Sequence, residues 1–175
     1  MTPQVRLTRK LYEEMQTDLR RPHAFAGERI GFTFGRLANA ASDFLLIILV
    51  RYVPLADDRY VPDPAIGARF DGQAVQFAMQ EIVTNDEGCF VVHMHEWRGQ
   101  PGFSFTDRAE LPPVARSFRN VGRQHPHGLF LLSDDSACAE VWIPGRKNPE
   151  PARINIVGFP TSIIPGRTDS SGRGF

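Results

Sequence analysis

Two histidines, a serine and an aspartate form the pattern in this sequence best suited to chemistry. His93 and His95 stand two residues apart in the apolar segment CFVVHMH, and Ser104 and Asp107 follow after a loop containing glycine and proline. In a β-strand, residues i and i+2 face the same side with Cα atoms roughly 6.5–7 Å apart, so both imidazoles can reach one metal ion. Two imidazoles and one carboxylate leave a fourth tetrahedral position open for water, which is the arrangement of a catalytic zinc site.

The same residues also fit structural roles. Ser104 and Asp107 match a capping motif, with Ser104 as the N-cap of a helix and Asp107 near the positive end of its dipole. The two roles are compatible, because a helix start can cap itself and still present Asp107 to a metal. Upstream, Glu28 begins a strand-like segment and shares the parity of its apolar residues. A carboxylate there is costly unless it is paired or used, and the alternative is an exposed residue at the strand end.

Taken together, these positions resemble the JAMM (JAB1/MPN/Mov34) metalloprotease motif. That motif has an upstream glutamate on a strand with small residues, here ERIGFTFG, then His-x-His, a loop and Ser-x-x-Asp. The order of the predicted elements agrees over most of the chain. The resemblance implies a single α/β (α+β) domain with an MPN/cytidine-deaminase-like fold, in which helices flank a mixed sheet.

The resemblance also implies a role for each position. His93, His95 and Asp107 would ligate Zn²⁺, Glu28 would be the general acid and base, and Ser104 would donate a hydrogen bond to the oxyanion. The expected function is a zinc-dependent isopeptidase or peptidase that cleaves after the C-terminal tail of a ubiquitin-like protein. That tail would lie against the domain as an added strand.

The ERIGF-type opening resembles bacterial members of the family. Those members are encoded beside ubiquitin-like proteins and E1- and E2-like enzymes, in conjugation operons linked to phage defence. The expected activity is therefore precursor processing, deconjugation or both. Two other functions remain open from the residues alone. One is a zinc amidohydrolase for a sulfur-carrier protein or a small amide, and the other is a metal-free MPN scaffold that only binds partners.

Three further features give weaker indications of function. His125-Pro126-His127 is a second His-x-His, but proline disfavours a central strand, so we predict a turn without metal. Cys89 shares strand parity with the first two histidines, yet a buried cysteine is most often an inert small hydrophobe. Trp97, beside the glycine-rich loop, is a candidate for lining a substrate groove.

Periodicity predicts the elements that must position these residues. The predicted helices are Thr8–Arg20, Gly72–Thr84 with Asp71 as cap, and Ser104–Asn120, which Pro112 and Pro113 should break or restart. The predicted strands are Glu28–Leu37, Asp43–Val53, Cys89–His95, Gly128–Ser133, Ala139–Ile143 and Arg153–Phe159. The strand Asp43–Val53 is predicted to be buried on both faces. The strand Glu28–Leu37 is predicted to have one face of small residues, which a neighbouring backbone can approach closely.

The remaining segments complete the domain. Pro54–Asp71, rich in proline and aspartate, is a long loop of the kind that is functional or mobile. We place the metalloprotease domain at residues 1–162 and a flexible tail, rich in glycine, serine and arginine, at residues 163–175.

Length and charge exclude several classes of protein. A chain of 175 residues suits one domain, and 20 Lys+Arg against 20 Asp+Glu argue against a dedicated nucleic-acid binder. Two cysteines cannot form a disulfide framework. The longest apolar run, Phe44–Val50, is far shorter than the roughly 18 residues that span a bilayer, and Met1–Gln16 lacks the apolar core of a secretory signal. We therefore expect a cytoplasmic protein without a membrane partner.

Overall fold

The computed structural model describes residues 2–24, 26–40, 44–63 and 67–166. The helices in these ranges are α1 (Arg9–Leu19), α2 (Gly72–Asn85) and α3 (Phe105–Val121), with a 3₁₀ turn at Asp57–Arg59. The strands are β1 (Thr2–Thr8), β2 (Ile30–Ala40), β3 (Phe44–Pro54), β4 (Gly88–Met94), β5 (His127–Leu132), β6 (Ala137–Trp142), β7 (Glu150–Pro151), β8 (Arg153–Val157) and β9 (Ser162–Ile164). The mixture of strands and helices confirms the α+β class.

The strands form one mixed sheet in the order β7-β6-β5-β4-β2-β3-β1-β8-β9. The pairs β1–β3, β1–β8 and β4–β5 are parallel, and the other neighbours are antiparallel. The sheet curls, so that β6 lies against β8 and the Ala152 amide donates to the Ala139 carbonyl at 3.0 Å. Strands from opposite halves of the sheet therefore meet around the face that α1 covers.

Each face of the sheet carries its own apolar core. On one face α1 packs its buried stripe, which includes Leu11, Met15 and Leu19, against the sheet. On the other face α2 and α3 bury residues such as Ile82 and Phe118 against β2, β4 and β5. These helices follow from their sequences, since Thr8 caps α1 and Asp71 caps α2 through side-chain acceptors, as the pattern predicts for Asp71.

The small-residue face of β2 is closely approached, as predicted. A Cβ on Gly35 would lie 2.7 Å from the Ile48 carbonyl oxygen, which is backbone. A Cβ on Gly31 would lie 2.3 Å from the Tyr52 hydroxyl, so this approach is by a side chain. The Tyr52 hydroxyl donates to Asp18 Oδ2 at 2.6 Å, which ties β3 to α1 across Gly31. Glycine is thus required here for space.

Three expectations about the elements need correction. The strand Asp43–Val53 exists as β3, but it is fully buried on one face only, since Val50 on its length is 49% exposed. Val50 falls at a shift in the β2–β3 register, where Phe34 pairs with Arg51 and Gly35 with Leu49, so it has no partner on β2. The strand β1 was missed, although the alternate burial of Val5 and Leu7 follows the period of two.

The third correction concerns the prolines of α3. The helix continues through Pro112 and Pro113 instead of breaking, although these residues leave the carbonyls of Arg108 and Ala109 without their usual donors. Leu111, Phe118 and Ala115 are buried on either side of the pair. Packing of this stripe on the sheet therefore outweighs two lost hydrogen bonds.

Ser162–Ile164 pair with β8, so ordered structure extends two residues beyond the predicted boundary at residue 162, and residues 167–175 lie outside the described ranges. Among the described helices, none combines the length and apolar character needed to cross a bilayer.

His127 opens β5 and has a structural role. Its Nδ1 accepts from the Cys89 amide at 3.1 Å, and its Nε2 donates to the Gly122 carbonyl at 2.8 Å. Burial, against the favourable bond to Gly122, lowers the pKa of His127 to about 4. This neutral, doubly bonded imidazole agrees with the prediction that His125-Pro126-His127 is not a metal site.

We predict that His127 makes the fold sensitive to mild acid. Because its pKa falls from 6.5 unfolded to about 4 folded, the unfolded state binds more protons between these values. The stabilisation is fully present above pH 6.5 and is lost as the pH falls towards 4, a change of about 3 kcal/mol in the free energy of unfolding. An NMR titration of the His127 ring should give a midpoint near 4. A midpoint near 6.5 would contradict this.

Candidate metal centre

The pairing of β2 with β4 brings Glu28 close to the histidines. The strands are antiparallel with Ile30 opposite His93, so the residues before β2 lie beside the residues after β4. His93 has the parity of Cys89 and Val91, both of which belong to the core beneath α2 and α3. The candidate site therefore lies on that face of the sheet, at the end of β4.

The start of α3 supplies Asp107 through a capping box. Ser104 Oγ accepts from the Asp107 amide at 3.1 Å, and Asp107 Oδ2 accepts from the Ser104 amide at 2.7 Å. Asp107 Oδ1 lies 3.1 Å from His93 Nε2. Asp107 therefore caps the helix, as predicted, while its Oδ1 faces His93 and remains outside the cap.

Four of the five predicted site residues line a small cavity, namely Glu28, His93, Ser104 and Asp107, and His95 lies beside it. His95 Nε2 lies 3.7 Å from Asp107 Oδ2 and 3.8 Å from Glu28 Oε1. Ligand atoms of Glu28, His93 and His95 all lie within 4.8 Å of one another. The cavity has a volume of about 100 Å³. All five predicted site residues are thus brought together.

The histidine nitrogens show that this donor set fits a metal ion. His93 is 2% exposed, yet neither of its ring nitrogens makes a hydrogen bond within the described residues, since the 3.1 Å approach to Asp107 lacks hydrogen-bond geometry. His95 Nδ1 is likewise buried without a partner there. Such groups are costly unless something satisfies them. Ligands 2.0–2.2 Å from a tetrahedral zinc lie about 3.3–3.6 Å apart, close to the separations seen here.

The charges of the site also suit a cation. Burial and the neighbouring His93 lower the pKa of His95, which favours the neutral imidazole that binds metals. Burial alone would raise the pKa of Asp107, but His93 and the Ser104 amide outweigh it and hold that pKa below its usual range. The site therefore offers a neutral imidazole beside an anionic carboxylate.

Arg29 is a supporting residue that sequence reasoning missed. Arg29 is 4% exposed. Its guanidinium donates to the Arg21 carbonyl at 2.8 Å and to the Pro22 carbonyl at 3.1 Å, and it forms an ion pair with Asp57 at 2.8 Å. These bonds fix the chain just before β2, where Glu28 sits. A lone arginine next to a glutamate carries no sequence signal for this role.

Gly67 is the second supporting residue that was missed. Its carbonyl accepts from the Glu28 amide at 2.9 Å, and a Cβ on Gly67 would lie 3.0 Å from Glu28 Cδ. A larger residue would push on the carboxylate. The predicted loop Pro54–Asp71 therefore forms one wall of the site, with residues 64–66 outside the described ranges.

The structure also places Trp97 and Cys89, the two other residues that the sequence singled out. Trp97 is 49% exposed and its ring centroid lies 4.6 Å from that of His95, which suits a residue lining a groove beside the site. Cys89 is fully buried, and burial raises the pKa of its thiol well above the ordinary value. An un-ionised, enclosed thiol is a poor nucleophile, in agreement with the interpretation of Cys89 as an inert small hydrophobic residue.

Comparison with known proteins does not place this chain in a family. No family model matches the sequence, and no curated protein matches it. Among solved structures, the N-terminal domain of STIL from Trichoplax adhaerens aligns with a TM-score of 0.37 and 14% identity, over 80% of this chain and 41% of that one. A likeness this distant does not bear on the fold family or the function.

We predict that Asp107→Asn separates metal binding from helix capping. The amide oxygen of asparagine can still accept from the Ser104 amide, so the melting temperature of the metal-free protein should stay close to that of the parent. Zinc affinity should fall by roughly 100-fold or more, since the change removes an anionic ligand. Titration calorimetry with ZnCl₂ measures this.

Ser104→Ala is the matched control for that experiment. It removes the cap acceptor for the Asp107 amide and leaves the histidines and both carboxylates, so it should lower thermal stability by about 1 kcal/mol with a smaller loss of zinc affinity. Unchanged zinc affinity in Asp107→Asn would show that Asp107 is not a ligand.

Proposed function

We propose that this protein is a zinc-dependent peptidase or isopeptidase of the JAMM type with an MPN-like fold. The observation that carries the proposal is the proximity of Glu28, His93, His95 and Asp107, with buried imidazole nitrogens that make no hydrogen bond among the described residues. The donor set of two imidazoles and a carboxylate favours zinc over magnesium or calcium. The observed sheet and flanking helices are compatible with such a domain.

The proposed chemistry assigns a proton-transfer role to Glu28. A bound zinc ion supplies a Lewis acid that polarises the scissile carbonyl and acidifies water. Glu28 Oε1 is 3.8 Å from His95 Nε2, and the Glu28 side chain is 33% exposed, so solvent can reach it. From that position Glu28 accepts a proton from the attacking water and returns it to the leaving amine, so the carboxylate is regenerated in each turnover.

Ser104 is suited to stabilise the developing oxyanion. In the capping box its Oγ acts as an acceptor, from the Asp107 amide. A hydroxyl has one proton to donate besides its lone pairs, so the Ser104 proton remains available to a ligand in the adjoining cavity. Loss of one such donor typically raises the barrier by roughly 2.7–4 kcal/mol.

The surroundings of Glu28 favour a substrate with small residues at the cut. Gly67, Ala68 and Ile30 line the cavity of about 100 Å³, which leaves little room for side chains. A ubiquitin-like tail ending in glycines meets this limit, and main-chain hydrogen bonds to a sheet edge would supply its affinity.

A short ribbon in the loop Pro54–Asp71 offers such an edge. Tyr60 pairs with Phe70 in an antiparallel bridge, and the Val61 amide donates to the Arg69 carbonyl at 2.8 Å. The ribbon leads directly to Gly67 and hence to Glu28. In the family that the sequence resembles, an insertion at this place pairs with the substrate tail.

The proposed setting is a bacterial ubiquitin-like conjugation pathway in the cytoplasm, with E1- and E2-like partners and a role in defence against phage. The assignment to this pathway rests on the ERIGF-type opening of the β2 segment. It predicts that the substrate is a folded ubiquitin-like protein, whose tail is extended by a precursor segment or by a conjugated lysine.

We predict that Glu28→Gln retains zinc and loses catalysis. The substitution preserves the shape of the side chain and leaves His93, His95 and Asp107 in place, so zinc should stay near one ion per chain. Cleavage of a ubiquitin-like protein fused through its C-terminal Gly-Gly to a reporter should fall by roughly 100- to 10,000-fold. Elemental analysis and a single-turnover assay measure the two quantities.

Three other outcomes would each lead to a different conclusion. If Glu28→Gln loses its zinc, Glu28 is a metal ligand and its role as acid and base is wrong. If the parent binds zinc but cleaves only short peptides or small amides, the amidohydrolase assignment replaces the ubiquitin-like substrate. Purification of a folded parent without stoichiometric metal would favour the scaffold.

We also predict that the ribbon is protected by substrate. The Val61 and Asp71 amides bond within the ribbon, which leaves the Phe70 amide on its outer side. Amide hydrogen exchange at Phe70 should slow when a ubiquitin-like protein with an intact Gly-Gly tail saturates the Glu28→Gln variant, because the added strand would engage this amide. The same protein lacking its last residues is the control. Unchanged exchange with the intact tail would rule out pairing at this edge.

A further inference from the structure

A second cavity lies at the far end of α3 from the metal centre. It has a volume of about 380 Å³ and lies between the end of the helix, the turn that follows it and the Pro144-Gly145 turn. The side chains that line it are mainly cationic or able to donate hydrogen bonds, and they include Arg116, Arg119, Arg123, His125 and Trp142. Asp107 and Arg119 are twelve residues apart on one helix, which places the cavity about 18 Å from the metal centre along the axis.

The arginines of this cavity lack the carboxylates that pair with other arginines of the chain. Arg116 and Arg123 have no ion-pair partner within 4.0 Å among the described residues, and Arg119 donates to the Arg146 carbonyl at 2.7 Å. By contrast, Arg108 on the same helix pairs with Glu140 at 3.1 Å. His125 Nε2, at the edge of the cavity, lies 2.7 Å from Asp86 Oδ1, so one carboxylate stands against the three arginines. In a chain of zero formal net charge, this still leaves a local excess of positive charge.

The cavity also has fixed walls. Gly145 has φ +79 and the Arg146 amide donates to the Ile143 carbonyl at 3.0 Å, which closes a tight turn at the rim. Trp142 is 7% exposed and belongs to the apolar core under α2 and α3, so its ring forms a fixed wall of the cavity. The site therefore combines guanidinium groups with an aromatic wall in a defined concavity.

We propose that this cavity binds the phosphate groups of a small ligand, either a nucleotide or a free diphosphate. Guanidinium groups match phosphate oxygens in bidentate geometry, and several positive charges require a ligand with several negative ones. The volume lies within the range of small-molecule sites. The chain's neutral overall charge argues for a local ligand over a long nucleic-acid surface.

The test uses titration calorimetry with sodium pyrophosphate, ATP and adenosine at about 150 mM NaCl, where exposed charges are screened beyond about 8 Å. Pyrophosphate and ATP should bind the parent at one per chain, and adenosine should not bind. Arg116→Gln/Arg123→Gln should weaken both ligands by about tenfold or more. Comparable affinities would assign recognition to the phosphates alone, and tighter ATP would assign a contact to the nucleoside as well.

The matched control is Lys10→Gln/Arg153→Gln, which removes the same charge from exposed positions outside the cavity. It should bind within about twofold of the parent, because the loss of two distant charges is screened. If the cavity variant melts below the parent, the single variants Arg116→Gln and Arg123→Gln repeat the test. The proposal is overturned by absence of saturable pyrophosphate binding up to about 10 mM, by equal losses in both double variants, or by tighter binding of a short oligothymidylate than of pyrophosphate.

Discussion

The register between β2 and β4 is the constraint on which the candidate site depends. With Ile30 opposite His93, the end of one strand and the start of the other carry their functional side chains to the same place. A slip of one residue would turn His93 to the opposite face of the sheet. The alternation of Phe32 and Phe34 into the core under α2 and α3 prevents this, and the ring of Tyr52 over Gly31 secures the other face.

Packing of α3 positions Asp107 despite two features that are unfavourable by themselves. The helix bears two prolines inside its length, and the sheet carries imidazoles without hydrogen-bond partners among the described residues. Each of these features would be unfavourable alone. They persist because Leu111 and Phe118 bury the helix against β2, β4 and β5, so apolar packing positions the polar groups.

Much of this arrangement could be predicted from the sequence, because it follows local rules. The spacing of two places His93 and His95 on one face, the Ser-x-x-Asp pattern gives the cap, and the apolar periods give α1, α2 and β4. What could not be predicted depends on contacts between distant segments. Arg29 binds carbonyls of the preceding turn and Asp57, and Gly67 meets Glu28 only once the loop folds back. Val50 is exposed at a shift in the β2–β3 register, which depends on how the two strands pair.

The capping box has a consequence for how an ion would enter and leave. Asp107 is held by the Ser104 amide before any ligand arrives, so its carboxylate gives up little rotational freedom when the second oxygen is engaged. Departure of the ion leaves the first turn of α3 intact for the same reason. Metal exchange would then be a reversible event confined to the centre, and the empty form would be a folded reservoir that can be loaded again without refolding.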